Sequence, residues 1–190
     1  MRIVLATANP DKASEISAVL SGLELVPRPA DVGEVEETEP TLEGNARLKA
    51  HALRDATGMP ALADDTGLEV AALGGAPGVV SARWSGPDAT YASNVAKLLR
   101  EMEGVADRRA RFRTVVHLAF PDGRDLVAEG AVDGVITTSG RGSNGFGYDP
   151  VFQPDEAAGR TLAELTLAEK NALSHRARAL RALTALLAGA

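Results

Sequence analysis

The sequence predicts an α/β fold, because apolar runs of strand length alternate along the chain with stretches of helical periodicity. Residues 2–6 are predicted to form a buried strand because residues 3–6 are continuously apolar, and apolar side chains recur at helical spacing over residues 12–20. Residues 110–120 alternate in polarity, and a Pro-Asp-Gly turn connects them to residues 126–135. This last pattern predicts a half-exposed β-hairpin.

The other elements are predicted from apolar spacing and from the residues that begin and end helices. Thr41 is a helix N-cap and Gly58 a helix stop. Lys170 and His175 cannot share one face of an unbroken helix, so the last helix either breaks near Ser174 or carries these side chains around its end. The predicted helices span 41–57, 88–102 and 166–187, and the second of these is capped by either Asp88 or Thr90. The further predicted strands are 24–26, a run ending at the acids 64–65, and 69–73.

The composition is that of a globular domain. Of the 190 residues, 45% are hydrophobic and 24% are charged. A chain of this length and composition can form a stable hydrophobic core without disulfide bonds. We expect residues 1–190 to form a single domain with room for two lobes. No cysteine is present, which excludes disulfides, thiolate metal sites and cysteine nucleophiles.

The net charge and the hydropathy of the chain argue against two classes of partner, nucleic acids and membranes. The 26 acidic against 20 basic side chains give a net charge of −6, which argues against nucleic-acid binding. No segment approaches the ~20 consecutive apolar residues of a membrane-spanning helix, and the first apolar run is too short for a signal peptide. We therefore expect a cytoplasmic protein without a membrane partner.

Two adjacent carboxylates, Asp64 and Asp65, end an apolar run that begins at Pro60. Acids at the end of a buried strand are costly to desolvate unless a positive group lies beside them. A divalent cation is one such group, because hard ions bind carboxylate oxygens. The alternative is a turn in which one aspartate hydrogen-bonds the backbone ahead of Gly67.

The segment from Thr7 to Lys12 connects the first strand to the first helix. In this layout backbone N–H groups at a helix start can hold a phosphate. Lys12 would place a positive charge where the helix dipole disfavours it, so an anionic partner fits the position. The alternative is a simple Asx turn with Lys12 in solvent.

Residues 137–150 are rich in glycine and contain Phe146 and Tyr148. Glycine lets the backbone approach a ligand closely, and a ring between glycines offers a face on which a base can stack. The alternative is a connector whose rings attach it to the core. With the carboxylates and the phosphate-binding turn, this loop favours a nucleotide-hydrolysing site.

Two histidines are left outside this site. His51 lies in the middle of the predicted helix 41–57, where we expect a surface or half-buried side chain rather than a ligand. His117 lies on the polar face of the predicted strand 110–120 and is expected at the surface.

Five motifs occur in the order found in the Ham1/inosine triphosphate pyrophosphatase family, which this sequence resembles over nearly its whole length. Two positions depart from the family's pattern, since Ala8 replaces the usual glycine and Thr66 the usual serine. The matching segments are Thr7-Ala8-Asn9 with Lys12, residues 63–68, residues 74–78 with Ser81-Ala82-Arg83, residues 145–150, and Glu169-Lys170 with Ser174-His175-Arg176.

The resemblance implies a long, twisted mixed sheet with helices on both faces, two lobes with a central cleft, and a homodimer. The implied reaction is Mg²⁺-dependent hydrolysis of the non-canonical purine nucleotides ITP, dITP and XTP to the monophosphate and pyrophosphate, which removes them from the nucleotide pool. Two alternatives stay open. One is a Maf-type pyrophosphatase acting on pyrimidine triphosphates, and the other is a nucleotide-binding sensor without turnover.

The resemblance also implies roles for individual residues. Asp65 is the general base and a metal ligand, and Glu36, followed by Glu37 and Glu39, is the second metal ligand. A donor such as Arg176 or a backbone N–H would select the 6-oxo group of the purine. The implied substrate-binding residues are Thr7, Ala8, Asn9, Pro10, Asp11, Lys12, Thr66, Phe146, Gly147, Tyr148, Asp149, Lys170, His175 and Arg176.

Overall fold

Strands and helices alternate along the chain, and the computed structural model describes residues 1–189. None of the helices in this range is both long enough and apolar enough to cross a membrane. The strands are β1 (Arg2–Leu5), β2 (Glu24–Val26), β3 (Ala61–Val70), β4 (Pro77–Gly78), β5 (Arg109–Ala119), β6 (Asp125–Ile136) and β7 (Phe152–Pro154). The α-helices are α1 (Pro10–Val19), α2 (Leu42–Thr57), α3 (Tyr91–Glu101), α4 (Leu167–Leu173) and α5 (His175–Ala188).

The strands belong to one mixed sheet in the order β2-β1-β3-β5-β6-β7, with β4 paired to β3. Strand β1 is parallel to both β2 and β3. In contrast, β4 is antiparallel to β3, and β7 is antiparallel to β6. The predicted α/β class with a mixed sheet flanked by helices is therefore confirmed.

The chain divides into two compact units. The first comprises residues 1–65, 114–130 and the chain from 175 onward, and the second comprises residues 66–113 and 131–174. Strands β3, β5 and β6 contribute residues to both units. The central cleft implied by the resemblance stays a prediction.

In the first unit, helices α1 and α5 share an apolar core with the sheet. Ile16 of α1 and Leu180 of α5 lie in one cluster with Ile3 of β1. Gly130 of β6 permits the close approach of α5, because a Cβ at this position would collide with the carbonyl oxygen of His175. The beginning of α5 is thereby held against the sheet.

In the second unit, a separate apolar cluster lies between the sheet and the surrounding helices and loops. Leu98 and Met102 from the region of α3 pack in it, together with Phe112 and Phe152. These two rings meet edge to face with their centroids 4.8 Å apart, a favourable aromatic geometry. The core is thus built from elements distant in sequence.

Several predicted boundaries differ from the structure. Strand β3 continues to Val70 and is followed by a 3-10 turn, where the sequence predicted a separate strand at 69–73. Helix α3 begins after Thr90, which confirms the second of its two predicted caps; the Thr90 hydroxyl accepts the Ser93 N–H at 3.1 Å. The last helix breaks at Ser174, whose backbone is extended, which confirms the first of the two predicted alternatives.

The expectation that His117 lies at the surface is wrong. Its side chain is buried, with 2% of the residue exposed. The alternating pattern of β5 ends at Arg113, and residues 114–119 are all buried because α2 covers the face expected to be polar. Ala119, on the same face as His117, packs with Leu53 of α2.

Candidate active site

The two adjacent aspartates lie within β3 rather than in a turn. Asp64 is 3% exposed and Asp65 is 4% exposed. Strand β3 runs parallel to β1 with Leu62 opposite Leu5, so the residues that follow β1 begin beside the aspartates. The register therefore brings the phosphate-binding segment predicted at Thr7–Lys12 next to the carboxylate pair.

Asp64 is held by two cations. Its Oδ2 atom accepts a hydrogen bond from Arg176 Nε at 3.1 Å and lies 3.3 Å from Lys12 Nζ. Arg176 also donates a short hydrogen bond from Nη1 to the buried carboxylate of Glu15. Burial alone would raise the pKa of Asp64, but the charges of Lys12, Arg176 and Lys49 prevail and hold this pKa far below its usual value. Asp64 is therefore a permanent anion that anchors basic side chains.

Asp65 has a different environment. Lys49 of α2 donates to Asp65 Oδ1 at 3.1 Å and to Glu37 Oε1 at 2.7 Å. The other oxygen, Oδ2, is buried and has no hydrogen-bond partner among the residues described. Burial raises the pKa of Asp65; the Lys49 charge opposes this effect and the Glu37 charge adds to it, so the pKa is raised overall.

The Asp65 carboxylate fits the requirements of a magnesium ligand. Mg²⁺ prefers carboxylate oxygens, and a buried oxygen without a hydrogen bond is stabilised by a cation. Glu36, the second ligand implied by the resemblance, is exposed, whereas the adjacent Glu37 is half-buried and bound to Lys49. The structure thus brings Glu37 to Asp65, and the assignment of Glu36 stays a prediction.

Asn9 caps helix α1 and thereby shapes the predicted phosphate-binding turn. Its Oδ1 atom accepts the N–H of Asp11 at 2.9 Å and that of Lys12 at 3.4 Å. Its own N–H donates to Thr7 Oγ1 at 3.1 Å. Because the cap uses two backbone N–H groups and Pro10 has none, the segment offers an anion chiefly its side chains and the amides outside the cap.

The alternative interpretation of this turn, which placed Lys12 in solvent, is wrong, because the Lys12 side chain is mostly buried beside Asp64. Burial lowers the pKa of Lys12, while the adjacent Asp64 acts in the opposite sense. Beside the turn lies an open hollow of about 540 Å³. Its lining includes Thr7, Ala8, Asn9, Pro10, Ala13 and Arg28.

In the second unit, three predicted binding residues form a cluster. Asp149 Oδ2 accepts the Phe146 N–H at 2.8 Å and a short hydrogen bond from Lys170 Nζ. The same Nζ lies 4.7 Å from the centroid of the Phe146 ring. Gly145, with φ 72°, is required here because a Cβ would collide with the Asp149 carboxylate. Phe146 stays partly exposed, 5.7 Å from the Tyr91 ring, and so keeps an aromatic surface within reach of a ligand.

The other predicted residues of this region have structural contacts. Tyr148 is 5% exposed, belongs to the apolar core, and donates its hydroxyl to the Ser81 carbonyl at 2.9 Å. Gly147, with φ 61°, provides the turn between the two rings. Thr66 lies half-buried on β3. Of the two predicted stacking rings, only Phe146 is accessible.

The late basic residues fall into different units. Lys170 lies on α4 in the second unit, whereas His175 and Arg176 begin α5 in the first. His175 is buried, and its Nδ1 atom lies 2.6 Å from Thr114 Oγ1. The boundary between the two units coincides with the helix break at Ser174.

Lys49 and Glu15 also belong to this site, although the sequence did not indicate either residue. Lys49 lies 16 residues from Asp65, and Glu15 lies 161 residues from Arg176. Both are ordinary polar positions on amphipathic helices, and no local motif distinguishes them from solvent-exposed positions.

The model of the Ham1 family matches residues 3–186. The chain belongs to the Ham1 family. A dITP/XTP pyrophosphatase of Caulobacter vibrioides is 47% identical, with 98% of this chain and 97% of that protein covered. One of Chlorobaculum tepidum is 52% identical, with 93% and 88% covered. The structure of a HAM1 protein from Coxiella burnetii is 41% identical and superimposes with a TM-score of 0.90, with 100% of both chains covered.

This membership confirms the resemblance predicted from the ordered motifs. The two residues that depart from the family's pattern, Ala8 and Thr66, both lie in segments predicted to form the site. Ala8 lies in the turn after β1, and Thr66 follows the aspartates on β3.

Proposed function

We propose that this Ham1-family chain is a Mg²⁺-dependent nucleoside-triphosphate pyrophosphatase that hydrolyses ITP, dITP and XTP to the monophosphate and pyrophosphate. The similar proteins of Caulobacter vibrioides and Chlorobaculum tepidum carry the name dITP/XTP pyrophosphatase. The observation that carries the proposal is the carboxylate of Asp65, which is buried, has a raised pKa and keeps one oxygen without a hydrogen bond.

Asp65 is the general base. Asp64 and Asp65 are neighbours whose environments move their pKa values in opposite directions, a pattern that separates a permanent anion from a proton acceptor. The attacking water forms its bond to a phosphorus atom beside the α–β bridging oxygen and gives its proton to Asp65. The bridging oxygen then leaves with the other phosphoryl group.

Asp65 also holds the metal, together with a carboxylate from the acidic stretch 34–39. The contacts of Lys49 favour Glu37 for this second ligand, whereas the family resemblance favours Glu36. Mg²⁺, when bound, neutralises charge on the triphosphate and orients its oxygens. Lys49 keeps the two carboxylates close despite their mutual repulsion.

The substrate-binding residues divide by chemistry. Lys12 and the Thr7 hydroxyl bind phosphate oxygens, and Phe146 stacks on the purine while Asp149 holds Lys170 near the ring. Two donors of Arg176 go to Asp64 and Glu15, which supports an anchoring role. A backbone N–H is then the favoured donor to the 6-oxo group that distinguishes hypoxanthine and xanthine from adenine. The proposal also includes the homodimer and the cytoplasmic location predicted from the sequence.

The test is pyrophosphate release from ITP, XTP, dITP, GTP, ATP and dTTP, with and without Mg²⁺. We expect fast Mg²⁺-dependent release from the inosine and xanthine nucleotides, lost by ~10²–10⁴-fold in Asp65→Asn. The matched control is Asp122→Asn, which changes an exposed aspartate in the turn after β5 and should leave the activity unchanged. Release confined to dTTP would favour the pyrimidine-directed alternative, and no release from any nucleotide would leave a binding protein.

A further inference from the structure

Two histidines and one aspartate converge in the first unit, and the proposed hydrolysis uses none of them. His51 comes from α2, His117 from β5 and Asp125 from the beginning of β6. His51 Nε2 lies 2.7 Å and His117 Nε2 lies 3.1 Å from the same oxygen, Asp125 Oδ2. One ligand atom from each residue lies within 4.8 Å of those of the other two. The chain contains three histidines, and two of them lie in this cluster.

His117 is the unusual member of this cluster. It is 2% exposed, yet neither of its ring nitrogens has a hydrogen-bond partner among the residues described. The contact of Nε2 with Asp125 has the distance of a hydrogen bond but lacks its alignment. Buried polar atoms without partners are rare in proteins, because they lose their hydration without compensation. Its Nε2 atom nevertheless lies within 3.1 Å of Asp125 Oδ2, the oxygen that His51 also contacts.

The surroundings of His117 favour its neutral imidazole form, which can bind a metal ion. Burial lowers its pKa, and the nearby charge of Arg47 acts in the same direction against the effect of Asp125. A neutral imidazole keeps a lone pair for a metal ion. The negative charge of Asp125, which lies next to both imidazoles, opposes the positive charge of Arg47 at this cluster.

We propose that His51, His117 and Asp125 bind one divalent transition-metal ion of the Zn²⁺ type. Two imidazole nitrogens and one carboxylate oxygen suit zinc, and three protein ligands leave a fourth position for water. The side chains of His51 and Asp125 are 34% and 28% exposed, so solvent reaches the outer side of the cluster. Mg²⁺, which prefers oxygen ligands, would not compete well for this donor set.

The ion would connect three elements of the first unit. It would join α2 to β5 and β6, and α2 also carries Lys49, which contacts Asp65. The site therefore assigns His51 a ligand role that its position in the sequence did not indicate. The expected physical effect is stabilisation of the folded chain by the metal, because the assembled ligand set exists only in the folded state.

The test is a calorimetric titration of the full chain with Zn²⁺ alone, after treatment with a chelator and in excess Mg²⁺ to occupy oxygen sites. We expect one Zn²⁺ per chain. His51→Ala and Asp125→Asn should each weaken binding by at least about tenfold, since even partners of metal ligands have effects of this size. The exposed Asp55→Asn on α2 is the matched control and should bind as the wild type does.

Thermal unfolding provides a second measurement on the same proteins. Zn²⁺ should raise Tm for the wild type and for Asp55→Asn, and should leave Tm of His51→Ala unchanged. His51 is half-exposed, so the variant should fold, and circular dichroism checks this; His51→Gln serves if the alanine variant does not fold. No binding at micromolar Zn²⁺, or unchanged one-to-one binding in both ligand variants, would overturn the proposal. Because no nucleotide is present, the result is independent of the proposed hydrolysis.

Discussion

Lys49 Nζ donates a 3.1 Å hydrogen bond to Asp65 Oδ1, while Asp65 Oδ2 has no hydrogen-bond partner within residues 1–189. The same ammonium group binds Glu37 at 2.7 Å, so it holds together two carboxylates that would otherwise repel each other. One oxygen of Asp65 is thereby anchored, and the other is the atom that the proposed function assigns to the attacking water or the metal ion.

Removing the Lys49 charge should move the pH dependence of the proposed reaction. The Lys49 charge favours the ionised form of Asp65, so in Lys49→Met the pKa of Asp65 should rise further. A base must be deprotonated to act, and the acid limb of the pH profile of kcat/KM should therefore shift to higher pH. Lys97→Met, which removes a lysine bound to the Trp84 carbonyl, should leave the profile in place. An unshifted profile in Lys49→Met would argue against Asp65 as the base.

The buried guanidinium of Arg176 should be essential for stability. It is 2% exposed and bridges Asp64 and Glu15, both also buried. Arg176→Met would leave two buried carboxylates without this partner, and we expect a loss of about 3–5 kcal/mol in the free energy of unfolding. Urea unfolding measures this loss. Arg181→Met, at an exposed position on the same helix, should change the free energy by less than about 0.5 kcal/mol.

Asp64 should contribute to acid sensitivity. Its pKa is lower in the folded chain than the ordinary value of 3.8, because the charges of Lys12 and Arg176 outweigh the effect of burial. Its stabilisation is therefore complete above that value and is lost as the pH falls towards the folded-state pKa. In urea unfolding, the stability difference between wild type and Asp64→Asn should be largest near neutral pH and should shrink below pH 3.8. A difference that grows as the pH falls would contradict this sign.

The two neighbouring glutamates should differ in their effect on magnesium dependence. Glu37 lies in the network of Asp65, whereas Glu36 is exposed. We expect Glu37→Gln to raise the Mg²⁺ concentration for half-maximal activity by at least about tenfold, and Glu36→Gln to have a smaller effect. A larger effect of Glu36→Gln than of Glu37→Gln would favour Glu36, the metal ligand implied by the resemblance.

The two rings of the glycine-rich loop should have separate roles. Phe146→Leu removes the accessible ring and should raise KM for ITP by about 5–150-fold, which corresponds to ~1–3 kcal/mol of base stacking. Tyr148→Phe removes only the hydroxyl that binds the Ser81 carbonyl. It should keep KM and lower the free energy of unfolding by about 1 kcal/mol. Equal effects of both variants on KM would contradict this division.

Much of the fold could be predicted because its causes are local. The apolar run before Asp64, the cap at Thr41 and the stop at Gly58 each depend on a few adjacent residues. The turn after β5 was predicted for the same reason, and the break near Ser174 was one of the two predicted alternatives. His117 was placed wrongly because the burial of one strand face depends on α2, which the strand's own pattern does not describe.

The sequence by itself determined the α/β class, the ordered motifs and the membership of the Ham1 family, because periodicity and motif order are properties of the chain alone. Only the tertiary structure gave the two aspartates different surroundings, which support the proposed division into an anion and a general base. That difference depends on Lys12, Lys49 and Arg176, which come from three helices. A pKa results from burial and from the sum of nearby charges, and both arise only when distant segments of the chain pack together.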